Sequence, residues 1–390
     1  MSLRILSVPF PFAPLRADPV GGAEQVAAAL DAALVAAGHE SIVIAPEGSQ
    51  VAGTLVALPG TGEDSNDRAR ARMHAEVRAA IARVLHERDI DAIHLHGVDC
   101  EAYLPPPGVP TLITLHLPLA WYADAVLHPQ RPLTWLQPVS RHQARGAPEG
   151  VRLLAPIGNG VANNRFAGVA RKHDFALALG RICPEKGFHD AIAAARAAGM
   201  PLLIAGEVFA WEAHRRYFDE EIAPQLGSNV RFVGALRGVR KQRLLAAARC
   251  VLVPSRAPET SSLVAMEALA AGTPVIAYRS GALPDIVEHG ATGFVVDDVQ
   301  GMARAITRCE CIAAQTCRQA AQRRFPLQRM CDAYLDLYQR LAAQAPERAR
   351  AADAHGLGRQ RPGVLRPASS SRGNGGWRDG QPRDDFVRGT

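Results

Sequence analysis

The chain has 390 residues, of which 48% are hydrophobic, and its formal net charge is +6. This length and composition suffice for two domains, each with a sizeable core. Residues 341–390 contain nine Arg against five acidic residues and carry most of the positive charge. Residues 1–340 are therefore nearly neutral, which excludes the broad basic surface of a nucleic-acid-binding protein.

The seven cysteines include no Cys-x-x-Cys pair, and their number is odd. We therefore expect reduced thiols, and neither a disulfide framework nor a zinc site. The apolar run in the first ten residues is too short for a signal peptide, and no stretch of about 20 apolar residues could span a bilayer. These features predict a cytoplasmic protein.

Strands and helices alternate through the first 140 residues. Apolar residues recur at helical spacing over 22–38, where Gly38 ends the helix, and a second helix is predicted at about 68–88. Short apolar runs predict strands at 3–9, 41–46, 91–97, 110–116 and 136–140. This alternation is typical of a parallel sheet with helices on both faces.

A polar segment rich in Gly and Asn at 157–172 precedes a second alternating series. Strands are predicted at 175–180, 201–206, 229–234, 250–255, 274–278 and 293–296, and helices at 187–198, 211–222, 239–248, 261–271 and 283–289. The sequence thus predicts an α/β fold of two Rossmann-like, doubly wound parallel-sheet domains, 1–160 and 161–325, that face each other across a cleft. An amphipathic helix at 326–342 would pack back towards the first domain, and the Arg/Gly/Ser-rich tail at 343–390 is predicted to be disordered.

The loop "GRICPEKG" follows a buried strand and carries Arg181 and Lys186. Ligands of doubly wound sheets bind outside the carboxyl ends of the strands, so both cations could converge on one diphosphate. A solvated loop with two surface cations is the simpler alternative. Lysine is rare in this chain, where only Lys172, Lys186 and Lys241 occur beside 41 Arg, and this rarity favours a functional role for Lys186.

Two glutamates, Glu259 and Glu267, lie eight positions apart in "PETSSLVAMEALAAGTPVIA". Thr260, Ser261 or Ser262 can cap the apolar helix that follows, whose free N–H groups and dipole attract a phosphate. A buried carboxylate requires a partner, and at the position of Glu267 it could accept hydrogen bonds from both hydroxyls of a ribose. An Arg within the same domain is the alternative partner.

Weaker signals lie in the first domain. The glycines of "GGAE" at 21–24 would allow a phosphate or sugar to approach the backbone closely. His116 ends a strand near the predicted cleft, although a lone histidine is more often structural. His94 and His96 should point to opposite faces of a strand, so we expect a packing role for at least one of them. Neither a metal-binding His or Asp motif nor a Walker or Gly-x-Gly-x-x-Gly loop is present.

Read together, these segments resemble the retaining GT-B glycosyltransferases of family 4. The resemblance covers about residues 3–340 and rests on an ordered set of motifs, which includes "GGAEQV", "TLITLH", "IGNGVANNRF", "LGRICPEKG", "VRFVG" and "GALPDIVEHGATGFVV". The spacing between Glu259 and Glu267 is its most specific element. The family implies a GT-B fold and transfer of a hexose from a nucleotide diphosphate sugar, with retention of anomeric configuration and no metal.

The resemblance also implies roles for single residues. Arg181 and Lys186 would clamp the donor diphosphate, and Glu259 would contact the transferred sugar. Glu267 would hold the ribose of the nucleotide and not an internal partner. The backbone amides of Ser262 and Leu263, and Gly22 of the first domain, would contact the donor phosphate. His116 would lie near the transferred sugar. The backbone of Val233 and Gly234 would border the base.

The sequence departs from the family pattern beside the transferred sugar, where "ETSSLV" lacks the Phe-Gly of many members. A UDP-, GDP- or ADP-sugar therefore remains open as donor, and a sugar, a lipid-linked molecule or another small molecule as acceptor. Peripheral contact with the inner face of a membrane also stays open. The alternatives are a GT-B sugar-nucleotide epimerase, a non-catalytic nucleotide-sugar-binding protein, and a nucleic-acid binder acting through the Arg-rich tail.

Overall fold

A computed structural model describes residues 2–16, 18–19, 21–60, 67–163 and 171–344. These residues belong to one compact unit, Met1–Pro346. The predicted tail at 343–390 lies outside the described residues, apart from its first two positions, and so does 164–170 of the predicted junction.

The first lobe is built on a sheet of six parallel strands in the order β3-β2-β1-β4-β5-β6. Its strands are β1 (Arg4–Val8), β2 (Glu40–Pro46), β3 (Thr54–Leu58), β4 (Ala92–Leu95), β5 (Thr111–Leu115) and β6 (Thr134–Pro138). Its helices are α1 (Gly22–Ala36), α2 (Asp67–Glu87), α3 (Asp124–Leu127) and α4 (Arg141–Arg145). The strand order reverses between β1 and β4, which creates a topological switch point there.

The second lobe repeats this order in a second six-stranded parallel sheet, β12-β11-β10-β7-β8-β9. Its strands are β7 (His173–Leu179), β8 (Leu202–Ala205), β9 (Val230–Phe232), β10 (Ala248–Val253), β11 (Val275–Tyr278) and β12 (Gly293–Val296). Its helices are α5 (Phe188–Ala197), α6 (Glu212–Tyr217), α7 (Gly238–Ala247), α8 (Leu263–Ala270), α9 (Leu283–Ile286), α10 (Val299–Arg308) and α11 (Ala314–Arg324). The predicted pair of doubly wound sheets is confirmed, and the second switch point lies between β7 and β10.

Some element predictions were incomplete. The edge strand β3 was not predicted, although its residues 55–58 form an apolar run; in the structure its residues are mostly exposed or half-buried. The helix predicted over 211–222 is α6 followed by a π-helical segment at Phe218–Ile222. The helix predicted over 261–271 starts later, because Ser262 is its N-cap and accepts a hydrogen bond from the Ala265 amide.

The final helix, α12 (Leu327–Ala342), packs against the first lobe although it follows the second lobe in sequence. Its apolar face joins Leu3 and Ile5 and the helix α1 in one core cluster. Buried Tyr338 adds a polar contact there, with its hydroxyl 2.6 Å from Nδ1 of His94. The chain therefore crosses between the lobes twice, which ties their ends together.

We predict that Tyr338→Phe lowers the free energy of unfolding by about 1–2 kcal/mol, because His94 loses a buried hydrogen-bond partner. Tyr338→Ala should cost about 3–5 kcal/mol, since it also leaves a cavity. Urea denaturation followed by tryptophan fluorescence measures both changes. Gln339→Ala, at the exposed neighbouring position, is the control and should change stability little; equal losses for all three variants would contradict the assignment.

Candidate functional site

Two loops of the second lobe meet at its switch point, one after β7 and one after β10. Gly187 adopts a left-handed conformation with φ of 64°, and a Cβ there would lie 2.2 Å from the carbonyl oxygen of Pro254. The amide of Arg256 donates to the Glu185 carbonyl at 2.8 Å. The Arg256 guanidinium also makes two hydrogen bonds to Asp190, at 2.9 and 3.1 Å. These contacts fix the two loops side by side.

The fixed loops bring Lys186 and Glu259 into contact. Nζ of Lys186 donates to Oε1 of Glu259 at 2.5 Å, and Oγ of Ser255 donates to the same oxygen at 2.5 Å. Glu259 is 9% exposed, and its backbone oxygen accepts from the Ala282 amide at 2.7 Å. Gly281 lies against the Glu259 backbone, where a Cβ would approach to 2.1 Å. The carboxylate therefore has a defined position and a counter-charge.

Arg181 starts the same loop as Lys186 and lies close to two aromatic rings. Its guanidinium carbon is 5.8 Å from the Phe209 ring centre and 5.9 Å from that of Trp211, within the range of cation–π attraction. Nε of Arg181 is buried without a hydrogen-bond partner among the described residues. Burial raises the pKa of Glu24, and the charge of Arg181 acts in the opposite direction, which places the guanidinium within electrostatic reach of the first lobe.

Glu267 lies on α8 beneath these loops, in the otherwise apolar stretch noted in the sequence. Nζ of Lys241, on α7, donates to Oε1 of Glu267 at 3.0 Å. The expectation that Glu267 has no internal partner is therefore wrong. The partner is a lysine rather than the arginine considered as the alternative, and a cation is needed there because a buried carboxylate without one is costly.

The helix α8 presents its N-terminus towards the first lobe. The amides of the first helical residues, which begin with Leu263, have no acceptor within the helix. A Cβ on Gly22 of the first lobe would lie 3.6 Å from Cδ1 of Leu263, so the start of α1 directly faces the start of α8. Gly21 is needed for a local reason, because the Glu24 carboxyl folds back to within 1.8 Å of where its Cβ would be.

A histidine cluster of the first lobe borders the same region. Nε2 of His116 lies 3.0 Å from Nδ1 of His96, and the carbonyl oxygen of His116 accepts from Oγ1 of Thr260 at 2.6 Å, which joins the two lobes. The rings of His94 and His96 lie 3.9 Å apart, so the expectation of opposite faces is wrong. Residues two positions apart on a strand share a face, so strand alternation itself places the two rings on the same side.

Val233 and Gly234 follow the carboxyl end of β9, at the same edge of the parallel sheet as the loops after β7 and β10. The Val233 amide donates to the Ile204 carbonyl at 2.9 Å, and the Gly234 carbonyl accepts from the Gly206 amide at 3.0 Å. Gly234 has φ of 71°, a backbone conformation that favours glycine. Sequence reasoning missed Ser255, Lys241 and Asp18; only Lys241 carried a signal, the rarity of lysine.

One group of side chains has donor atoms suited to a metal ion. Donor atoms of Cys183, Glu185 and His214 lie within 4.8 Å of one another, and the sequence analysis did not predict this group. Burial raises the pKa of Cys183 to about 11, so the thiol keeps its proton at neutral pH. The pKa of His214 is lowered by burial and also by the charge of Arg181. The guanidinium is therefore close enough to repel a metal cation bound at this group.

The comparisons with known proteins agree with this architecture. A family model described as glycosyl transferases group 1 matches residues 162–322, and one described as glycosyltransferase family 4 matches residues 20–147. Each lobe of the chain is therefore similar to a glycosyltransferase family, the first lobe to family 4 and the second to group 1. No helix in the part of the chain that the structure describes combines the length and apolarity required to span a membrane.

Relatives and solved structures show how far the similarity extends. The glycogen synthase of Mycobacterium tuberculosis strain H37Rv is 34% identical over 216 residues, which cover 51% of each chain, so this protein spans about half the length of that relative. AviGT4, a glycosyltransferase involved in avilamycin A biosynthesis, is 27% identical with a TM-score of 0.63, over 88% of this chain and 99% of its own. HepE of Anabaena, solved with UDP-glucose, shares the fold with a TM-score of 0.67 at 19% identity, over 86% and 99% of the two chains.

We predict that the protein loses stability as the pH falls through 6.5 towards 4. Burial lowers the pKa of His116 to about 4 and holds the pKa values of His94 and His96 well below 6.5, so the folded state keeps these rings neutral. The unfolded chain binds protons in this range, which favours unfolding by about 2 kcal/mol for His116 at pH 5, and His94 and His96 act in the same direction.

Urea denaturation between pH 7.5 and 5 measures this effect. His96→Gln should reduce the slope of the unfolding free energy against pH by the equivalent of about one proton, because one of the three buried rings is gone. His142→Gln, which removes an exposed ring on α4, is the control and should leave the slope as in the wild type. A wild-type stability that does not change over this range would contradict the prediction.

Proposed function

We propose that this protein transfers a hexose from a nucleotide diphosphate sugar to an acceptor hydroxyl, with retention of anomeric configuration. The observation that carries the proposal is the contact of Lys186 with Glu259 at the switch point of the second lobe, next to the start of α8, which faces Gly22 of the first lobe. The matches of the two lobes to glycosyltransferase family models support the reaction class. HepE, which was solved with UDP-glucose, supports a nucleotide sugar as donor.

The donor diphosphate would lie between the cationic loop and the start of α8. Arg181 and Lys186 would offset its negative charge, and the free amides of Ser262 and Leu263 would donate to its oxygens. During transfer, the bond between the anomeric carbon and the diphosphate oxygen breaks, and negative charge develops on the leaving group. Groups already in place to stabilise that charge lower the barrier. We propose that these groups suffice without a metal ion.

The two glutamates would bind the two ends of the donor. Glu259, held against Lys186 and Ser255, would accept hydrogen bonds from hydroxyls of the transferred sugar. Glu267 would accept from the ribose hydroxyls, and the backbone of Val233 and Gly234 would border the base. His116 would lie near the transferred sugar and, because burial keeps its ring neutral, would serve as a hydrogen-bonding group rather than a charge.

The acceptor is expected to enter from the first lobe. A sugar, a lipid-linked molecule or another small molecule remains within the proposal, as does peripheral contact with a membrane. A sugar-nucleotide epimerase or a non-catalytic nucleotide-sugar-binding protein would use the same cleft. Incubation with donor alone tests the first alternative, because an epimerase forms a new sugar nucleotide without an acceptor. Tight donor binding without turnover on any acceptor would favour the second.

We predict that Lys186→Ala folds but loses about 100- to 1,000-fold in kcat, because the leaving diphosphate loses one stabilising charge. A panel of UDP-, GDP- and ADP-sugars with mass detection of the freed nucleotide first identifies the donor, and NMR of the product gives its anomeric configuration. Arg196→Ala removes an exposed cation near the far end of α5 and is the matched control. Wild-type turnover in folded Lys186→Ala would contradict the diphosphate clamp.

A further inference from the structure

Lys241 joins two carboxylates that come from different lobes. Its Nζ lies 2.8 Å from Oδ1 of Asp18, in the loop between β1 and α1, and 3.0 Å from Oε1 of Glu267. Asp18 is anchored at its other oxygen, where Oδ2 accepts from the amide of Gly238 at the start of α7 at 2.6 Å. We refer to Asp18, Lys241 and Glu267 as the interlobe triad.

The triad is almost completely removed from solvent. The exposed fractions of the side chains are 9% for Lys241, 12% for Glu267 and 19% for Asp18. Burial lowers the pKa of Lys241, but the attraction of Glu267 and the hydrogen bond that Lys241 donates to Asp18 together raise it above its usual value, so the ammonium group stays charged. A buried cation with two acids is costly to assemble, and removal of one member leaves an uncompensated charge.

The chemistry of lysine fits this position better than that of arginine. An ammonium group is a point charge with three hydrogens that can point towards separate acceptors, whereas a guanidinium favours one carboxylate through a planar fork. Lys241 contacts Asp18 and Glu267 with two of these hydrogens. The chain uses Arg for 41 of its 44 cations, yet retains Lys here.

We propose that Lys241 is a positioning residue for the ribose-binding carboxylate, and that Asp18 makes this ribose subsite dependent on the first lobe. The inference rests on the proposed function, since it gives Glu267 the ribose as ligand. Lys241 holds Oε1 of Glu267 and supplies its counter-charge, so that the carboxylate is oriented before the nucleotide arrives. Asp18 holds Lys241 from the opposite lobe, so the subsite is complete only when the lobes are apposed.

Ribose discrimination provides a test that does not depend on turnover. Calorimetric titration of the full chain with a nucleoside diphosphate and with its 2′,3′-dideoxy analogue isolates the contribution of the ribose hydroxyls. UDP, GDP and ADP are tried first, and the one that binds most tightly is used. The wild type should prefer the ribonucleotide by about 10- to 100-fold, the range for hydrogen bonds to a charged group.

We predict that Lys241→Met reduces this preference to less than about threefold, as Glu267→Gln does, and leaves the affinity for the dideoxy analogue nearly unchanged. Asp18→Asn, which keeps the shape of the side chain but removes its charge, should reduce the preference partially. Arg240→Met removes an exposed cation from the same helix and should keep the wild-type preference. A structural defect would weaken both nucleotides equally and so would not alter their ratio.

The outcomes separate this inference from the proposed function. If the wild type binds none of the three nucleotides, the proposed function fails. If it binds and discriminates, and folded Lys241→Met discriminates equally well, the positioning role is overturned while the proposed function stands. If Lys241→Met does not fold, Asp18→Asn decides the matter, because its substitution lies in a loop; an unchanged preference would overturn the role of the triad.

Discussion

The structure of the cleft depends on the pairing of buried carboxylates with lysines. Glu259 and Glu267 are each about nine-tenths buried, and each contacts an ammonium group, from Lys186 and from Lys241 respectively. A carboxylate without such a partner would take up a proton or turn towards solvent. The two ion pairs thus allow acidic side chains to lie among apolar helices and to keep the orientation that recognition of hydroxyl groups requires.

The sheet order explains why these pairs form where they do. In each lobe the strand order reverses once, and the loops on either side of the reversal diverge to leave a crevice. The loops after β7 and β10 flank this crevice in the second lobe and carry Lys186 and Glu259. The loop after β1 in the first lobe carries Asp18 and leads to Gly22. Both crevices contribute to a single site through contacts such as that between Thr260 and His116.

Most of the fold could be predicted from the sequence, because buried parallel strands form apolar runs and the intervening helices repeat with a period of 3.6 residues. The segments that carry Arg181, Lys186 and the two glutamates could be located for the same reason, since each directly follows or caps a predicted element. β3 escaped prediction although residues 55–58 are apolar, so its local pattern was sufficient to locate it as well. The orientation of His96 was misjudged because residues two positions apart on a strand share a face, so His94 and His96 lie on the same side.

The pairings within the site could not be predicted, because they join residues that are distant in the sequence. Asp18 and Lys241 are 223 positions apart, and Lys241 and Glu267 lie on different helices. The sequence around α8 does not indicate which cation pairs with Glu267. The rarity of lysine marked three candidate residues, but rarity alone does not show which of them belongs to the site. The ammonium group of Lys172 donates to the Ala246 carbonyl, and in the described part of the chain it contacts none of the proposed donor-binding residues.

Charge balance constrains how a donor can bind. The residues proposed to hold the donor include three cations, Arg181, Lys186 and Lys241, and three carboxylates, Asp18, Glu259 and Glu267, so the formal charges of this set cancel. A diphosphate adds at least two negative charges to this neutral set. The cations alone cannot compensate while the carboxylates hold two of them, so neutral donors must contribute. The amides at the start of α8 are such donors, because the first amides of a helix have no acceptor within the helix and carry the positive end of its dipole. On the proposed function, recognition of the diphosphate would therefore be shared between the cationic loop and this helix, and Lys186 would keep Glu259 as a neighbour while it donates its remaining hydrogens to phosphate.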